Sequence, residues 1–189
     1  MHIAIEGLDG VGKTTVAKLA ADILDFQFVE KPLHYLFKNQ DKVAFHHVAL
    51  EIKSTGDNTM KTFFYGTSNY FASLLSHKQS IVTDRHLVST WFWNYDGTNQ
   101  AYFDYLVNVC GCPEKTFLLY AEEKIRKERL MERDPYDKDL QVVFDTEMAM
   151  EKMTAFTKHY HMPYQIIDTS HMAAEEVAEQ ITEQVRLFK

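Results

Sequence analysis

The residues with the clearest chemical purpose come first in the chain. Gly7-Leu8-Asp9-Gly10-Val11-Gly12-Lys13-Thr14 fits G-x-x-x-x-G-K-[ST] without a mismatch, follows a short apolar run, and is extended by Thr15. Glycines let such a loop turn its backbone N–H groups inward onto an anion, and the helix expected to start near Lys13 points its positive end at the same place. Lys13, expected to face solvent in the empty protein, is the side chain that would reach the β- and γ-phosphates of a nucleotide such as ATP. The Thr14 hydroxyl suits a Mg²⁺ ion bridging those phosphates, because that hard cation prefers oxygen.

A second acid and base follow a buried apolar run in Ile81-Val82-Thr83-Asp84-Arg85-His86. Ligands of open α/β sheets sit beyond the carboxyl ends of the strands, so Asp84 and Arg85 are expected to emerge beside the P-loop. Asp84 can then hold Mg²⁺, and Arg85 can fork onto phosphate oxygens with a charge that does not titrate away. Taken alone the pair is as readily a surface ion pair; the P-loop upstream favours phosphate handling. A third group, Arg126, Arg129 and Arg133, is spaced by three and four, so all three share one face of a helix within 122–133. Interleaved acids such as Glu128 and Glu132 also suit a salt-bridged solvent face. Placed after the fourth apolar run, the segment 122–140 is expected to be a helical lid over the phosphates, its helix ended by Asp134-Pro135-Tyr136-Asp137, which supplies a loop tip.

The elements that must position these groups are legible as alternating short and long patterns. Ile3–Ile5, Phe26–Val29, Ile81–Thr83, Phe117–Tyr120 and Tyr164–Ile167 read as strands with little polar alternation. Between them apolar residues recur at helical spacing, as in Val16, Leu19, Ala20 and Ile23, or Val177, Ile181, Val185 and Phe188. Strands alternating with helices imply an α/β fold: a five-stranded parallel sheet flanked by helices on both faces, in a single domain over 1–189. With 27 acidic against 20 basic side chains the net charge is −7, so no uniform positive field exists to hold a nucleic acid, and a local site must hold any anionic ligand. No apolar run approaches the roughly 18 residues of a membrane helix, and a cytoplasmic protein is expected. Cys110 and Cys112, one residue apart, read as inert thiols at a helix end rather than a disulfide framework or zinc site.

At these residues the chain resembles the thymidylate kinase family, whose P-loop reads E-G-x-D-G-x-G-K-[ST]-T, as Glu6–Thr15 does here. Asp84-Arg85-His86-Leu87-Val88-Ser89 is similar to the family's D-R-[FYH]-x-x-S, Pro113–Leu119 resembles its P-[DE]-x-T-x-x-L segment, and Arg129 and Arg133 resemble its lid arginines. The resemblance implies the P-loop kinase fold, ATP as donor with Mg²⁺, a deoxynucleoside monophosphate as acceptor, and a homodimer in many members. It implies ATP contacts from Gly7 to Thr15 and at Arg126, catalytic roles for Lys13, Asp84, Arg85, Arg129 and Arg133, and metal contacts at Thr14 and Asp84. On the acceptor side it implies Asp9 and Arg85; Glu30 and the aromatics Phe64 and Tyr95 are added from the residues themselves. The chain departs from the family where R-E-P after the second strand becomes Glu30-Lys31-Pro32, and where no arginine precedes Arg85. An acid at Glu30 repels a monophosphate unless Lys31 or a metal compensates, and it also suits a deoxynucleoside kinase, where an acid takes the proton of a 5′-hydroxyl. A P-loop regulatory switch is the third reading, disfavoured because no N-K-x-D sequence is present.

Overall fold

The structure, a computed structural model, describes residues 1–30, 42–136, 140 and 145–187. Five strands form one parallel sheet: β1 (His2–Gly7), β2 (Gln27–Glu30), β3 (Ile81–Asp84), β4 (Lys115–Tyr120) and β5 (Tyr164–Asp168), in the spatial order β2-β3-β1-β4-β5. The central strand β1 is buried along its whole length, which explains its lack of inside-outside alternation: helices cover both of its faces. Its pairing extends one residue before and two beyond the apolar run Ile3–Ile5, because His2, Glu6 and Gly7 join the ladder although His2 and Glu6 are polar.

Parallel neighbours cannot be joined by a tight turn, so each connection carries helix. The helices are α1 (Lys13–Leu24), α2 (Lys42–Ser54), α3 (Asn58–Ser76), α4 (Leu87–Asn94), α5 (Gln100–Cys110), α6 (Glu123–Arg133), α7 (Thr146–His159) and α8 (Ala174–Arg186). α1 packs with α8 on one face of the sheet, while α3, α4, α5 and α7 form the other layer. Val16 and Ala20 of α1 and Val177, Ile181 and Val185 of α8 are buried as their spacing implies; Ile23 points outward at 41% exposure, and Phe188 lies outside the described residues. Phe103, Phe117, Ile3, Ile5, Leu118 and Leu119 are the bulk of the core, each contributing roughly 1.5–3 kcal/mol by burial.

Two helix starts are closed by the expected chemistry: Asp57 accepts from Met60 N–H ahead of α3, and Asp145 accepts from Glu147 and Met148 N–H ahead of α7. α6 stops at Asp134, whose backbone is extended before Pro135. Residues 137–139 of the expected lid, and Lys31 and Pro32, lie outside the described residues. No helix among the described residues is long and apolar enough to cross a membrane.

Register decides what meets at the carboxyl edge of the sheet. Glu30 of β2 and Ile5 of β1 both pair with Asp84 of β3, and Gly7 pairs with Leu119 of β4. The P-loop, Glu30 and the Asp84-Arg85 turn are therefore gathered over three adjacent strand ends.

Candidate active site

The P-loop runs from Gly7 at the end of β1 to Gly12, which caps α1 at φ 91 without a side-chain bond, leaving the first turn's N–H groups to an anion. Gly10, at φ 87, is required by close approach as well as by its backbone angle, since a Cβ there would stand 2.8 Å from the Arg126 carbonyl oxygen. Lys13 does not face solvent as its sequence position suggested. It is 6% exposed, its Nζ donates to the Leu8 carbonyl at 2.6 Å and lies 3.6 Å from Asp9 Oδ1. The side chain leaves the first helical position directly over the loop's own oxygens and curls back onto them. Burial and the neighbouring Arg85 charge lower the Lys13 ammonium to about 8, against the pull of Asp9.

Asp9 pairs with Arg85 Nη2. Burial pushes the Asp9 carboxyl up, but Arg85 and Lys13 outweigh it and hold it down to about 2. Burial works against the Arg85 charge, yet Asp9, Asp84 and Glu6 keep the guanidinium above its ordinary range. Arg85 itself has a left-handed backbone, φ 73, steadied by its N–H donating to Ile5 O at 2.9 Å. Its Nη1 reaches Ser89 Oγ at 3.2 Å and Gly7 O at 3.4 Å. Next to it, Thr14 Oγ1 donates to Asp84 Oδ2, while Asp84 Oδ1 is buried without a hydrogen-bond partner among the described residues. A hydroxyl and a carboxylate with an orphaned oxygen form the hard donor set that suits Mg²⁺.

These groups open on one cavity of about 700 Å³, walled by the P-loop, Asp84, Arg85, Arg129, Arg133 and Thr169. Arg129 is aimed by Thr169, donating to its carbonyl at 2.6 Å and its hydroxyl at 3.2 Å. Arg126 is placed differently from its two neighbours. Buried under the loop, it donates to Asp9 O and to Thr146 Oγ1, both at 2.8 Å, and does not line the cavity, so it props the P-loop from below. The aromatics chosen from sequence also stand apart from this cavity: Phe64 lies against Phe45 and Tyr65, and Tyr95 stacks on Trp91 at 5.1 Å. Tyr65 is the aromatic whose hydroxyl senses the Arg85 charge, which partly offsets the upward push of burial.

Three features escaped the sequence reading. Thr169 and Met172 wall the cavity just beyond β5, where a carboxyl strand end alone was the available signal. Glu6 is fully buried and bonded to the start of α4, a partnership across 80 or more residues that no local pattern marks. His2 and His86 are buried edge-on at 4.5 Å, and His2 Nε2 meets Thr83 Oγ1 at 3.0 Å.

A P-loop on the central strand of a parallel sheet, with three arginines lining one cavity beside it, defines a P-loop phosphotransferase. Residues 5–181 match the thymidylate kinase family model, and the chain belongs to that family. It is a nucleoside monophosphate kinase with ATP as phosphate donor. A probable thymidylate kinase of Methanocaldococcus jannaschii is 25% identical over 186 residues, covering 96% of this chain and 93% of that protein. Among solved structures, deoxyadenosine kinase from M. mycoides with bound dCTP is similar at a TM-score of 0.63 and 19% identity, covering 99% of this chain and all of that one. The same enzyme with dCMP and a flexible dCDP bound gives 0.65 at 20% identity, covering 99% of this chain and 100% of that one. At these identities the likeness speaks for the fold.

Proposed function

We propose that the enzyme transfers the γ-phosphoryl group of ATP to a deoxynucleoside monophosphate, with dTMP the first candidate. The observation that carries this reading is the set of cations that line the cavity: Arg85 at the β3 end, held by Asp9, Arg129 from α6, held by Thr169, and the more exposed Arg133 one turn further along α6. Two phosphate-bearing reactants repel each other, and such charges offset that repulsion while adding stabilisation as charge spreads over the transferring group. Lys13 leaves Leu8 and Asp9 to meet the donor phosphates, and Asp9, freed of one partner, continues to orient Arg85 toward the acceptor. Thr14 and Asp84 would hold Mg²⁺, which when bound neutralises charge on the donor phosphates. The same reading assigns the enzyme to the cytoplasm, where ATP is drawn on.

A nucleoside acceptor is the second reading, favoured by Glu30 standing opposite Asp84 in register at the end of β2, where an acid could take a hydroxyl proton. Glu30→Gln separates the two. With a monophosphate acceptor no base is needed, so kcat stays within about 3-fold and acceptor KM stays level or falls as repulsion is removed. A loss of roughly 10²–10⁴ in kcat at unchanged acceptor KM would instead make Glu30 a general base and the acceptor a nucleoside.

We further propose a homodimer, as the family resemblance implies. Phe63, Tyr70, Tyr102 and Tyr105 are exposed on α3 and α5 around a groove of about 340 Å³ without a charged lining residue, a surface at which two copies could meet without placing like charges in contact.

A further inference from the structure

Glu6 is the last side chain of β1 before the P-loop glycine, and its carboxylate is wholly occupied by another part of the chain. Oε1 accepts from the backbone N–H of His86 at 2.8 Å and of Val88 at 3.0 Å. Oε2 accepts from the Ser89 N–H at 3.2 Å and from the Ser89 hydroxyl. These are the unsatisfied donors at the start of α4, whose own capping residue His86 offers no side-chain bond. A negative charge there also meets the positive end of the helix. All four contacts are donors toward Glu6, so only a group with two accepting oxygens fits.

Ser89 carries the link onward. Its proton is committed to Glu6, which turns its lone pairs toward Arg85 Nη1 at 3.2 Å. Arg85 sits between the bonded residues and the loop, in a left-handed conformation unfavourable for any side chain with a Cβ, and its Nη2 is held by Asp9. The guanidinium is thus fixed from two directions, by the P-loop through Asp9 and by β1 through Glu6 and Ser89. We infer that Glu6 is a positioning residue that acts through Ser89 to hold the Arg85 guanidinium in register with the P-loop, and so sets the use of the acceptor rather than the binding of ATP. This rests on the reading of Arg85 as the acceptor-side cation.

The test is a double-mutant cycle on the full chain. Glu6→Gln replaces one accepting oxygen by an NH₂ that faces donors, so the acceptor's kcat/KM should fall about 10- to 100-fold while ATP affinity, measured directly, moves less than about 2-fold. In an Arg85→Ala background the same change should cost less than about 3-fold, because the residue it positions is gone. Ser89→Ala, which keeps the backbone cap, should lose about 5-fold with the same coupling, and it carries the test if Glu6→Gln does not fold. Equal losses in both backgrounds, or parallel weakening of ATP and acceptor, would show that Glu6 merely holds the fold and would overturn the inference. If only nucleosides are turned over, the monophosphate reading fails, whereas the cycle measured on that acceptor still decides the role of Glu6.

Discussion

At the scale of single residues the site is a balance of buried charges. Lys13, Asp9, Arg85 and Asp84 lie within one small volume, and each moves its neighbours' proton affinities: Asp9 is held at about 2 and Lys13 at about 8. At neutral pH most Lys13 side chains remain charged, tied to Leu8 O and facing Asp9. Lys13→Met keeps the bulk and removes the charge that would meet the donor phosphates. Steady-state kinetics should show kcat lower by roughly 10³, in line with loss of one well-placed donor to the transferring group, with thermal unfolding shifted by only a few degrees. Turnover within a few-fold of the unaltered enzyme would remove Lys13 from the reaction. The P-loop and Asp84-Arg85 were legible because glycine and lysine at fixed offsets carry a mechanism. The burial of Lys13 was not, because it depends on where Leu8 turns its carbonyl.

At the scale of elements, the five apolar runs located the strands because parallel strands covered on both faces leave continuous apolar sequence. The strand ends were harder to read. His2 and Glu6 are polar yet buried, satisfied by partners far along the chain, so hydropathy alone cuts β1 short at both ends. The junction of β1, β3 and α4 has a consequence for pH. Burial lowers His86 to about 4, opposed by its bond to Asn69 O, and burial first, then the repulsion that a second proton would meet at His86 and the N-terminal ammonium, lowers His2 well below its ordinary value. Both are neutral in the fold, while in the unfolded chain they titrate near 6.5. Below that pH the unfolded state binds more protons, so stability present above about 6.5 is lost as pH falls toward 4. His86 alone should remove about 2 kcal/mol between pH 7.5 and 5. Urea unfolding at those two values should show the loss, and His86→Gln should shrink it; a slope unchanged by His86→Gln would remove His86 from the acid response.

At the scale of the whole molecule, β1 is the beam that joins every working part. Its end begins the P-loop, its Glu6 anchors the start of α4, its neighbour β3 delivers Asp84 to the same edge, and β2, paired with β3, delivers Glu30. α6 then closes the cavity from the far side with Arg129 and Arg133, standing on Arg126. The arrangement of these elements followed from the alternation of strand and helix patterns, whereas the separate task of Arg126 did not, because spacing puts it on the same helix face as Arg129. If the aromatic face of α3 and α5 joins two copies, sedimentation should give a mass near twice 22.1 kDa, and Tyr105→Asp should reduce it to one. A single-copy mass at all concentrations would remove the dimer. The acceptor is decided most directly by ADP release from MgATP with dTMP, dCMP, dAMP, dGMP and the four corresponding nucleosides in turn. Turnover with at least one monophosphate and none with a nucleoside is expected; turnover confined to a nucleoside would make the enzyme a nucleoside kinase instead.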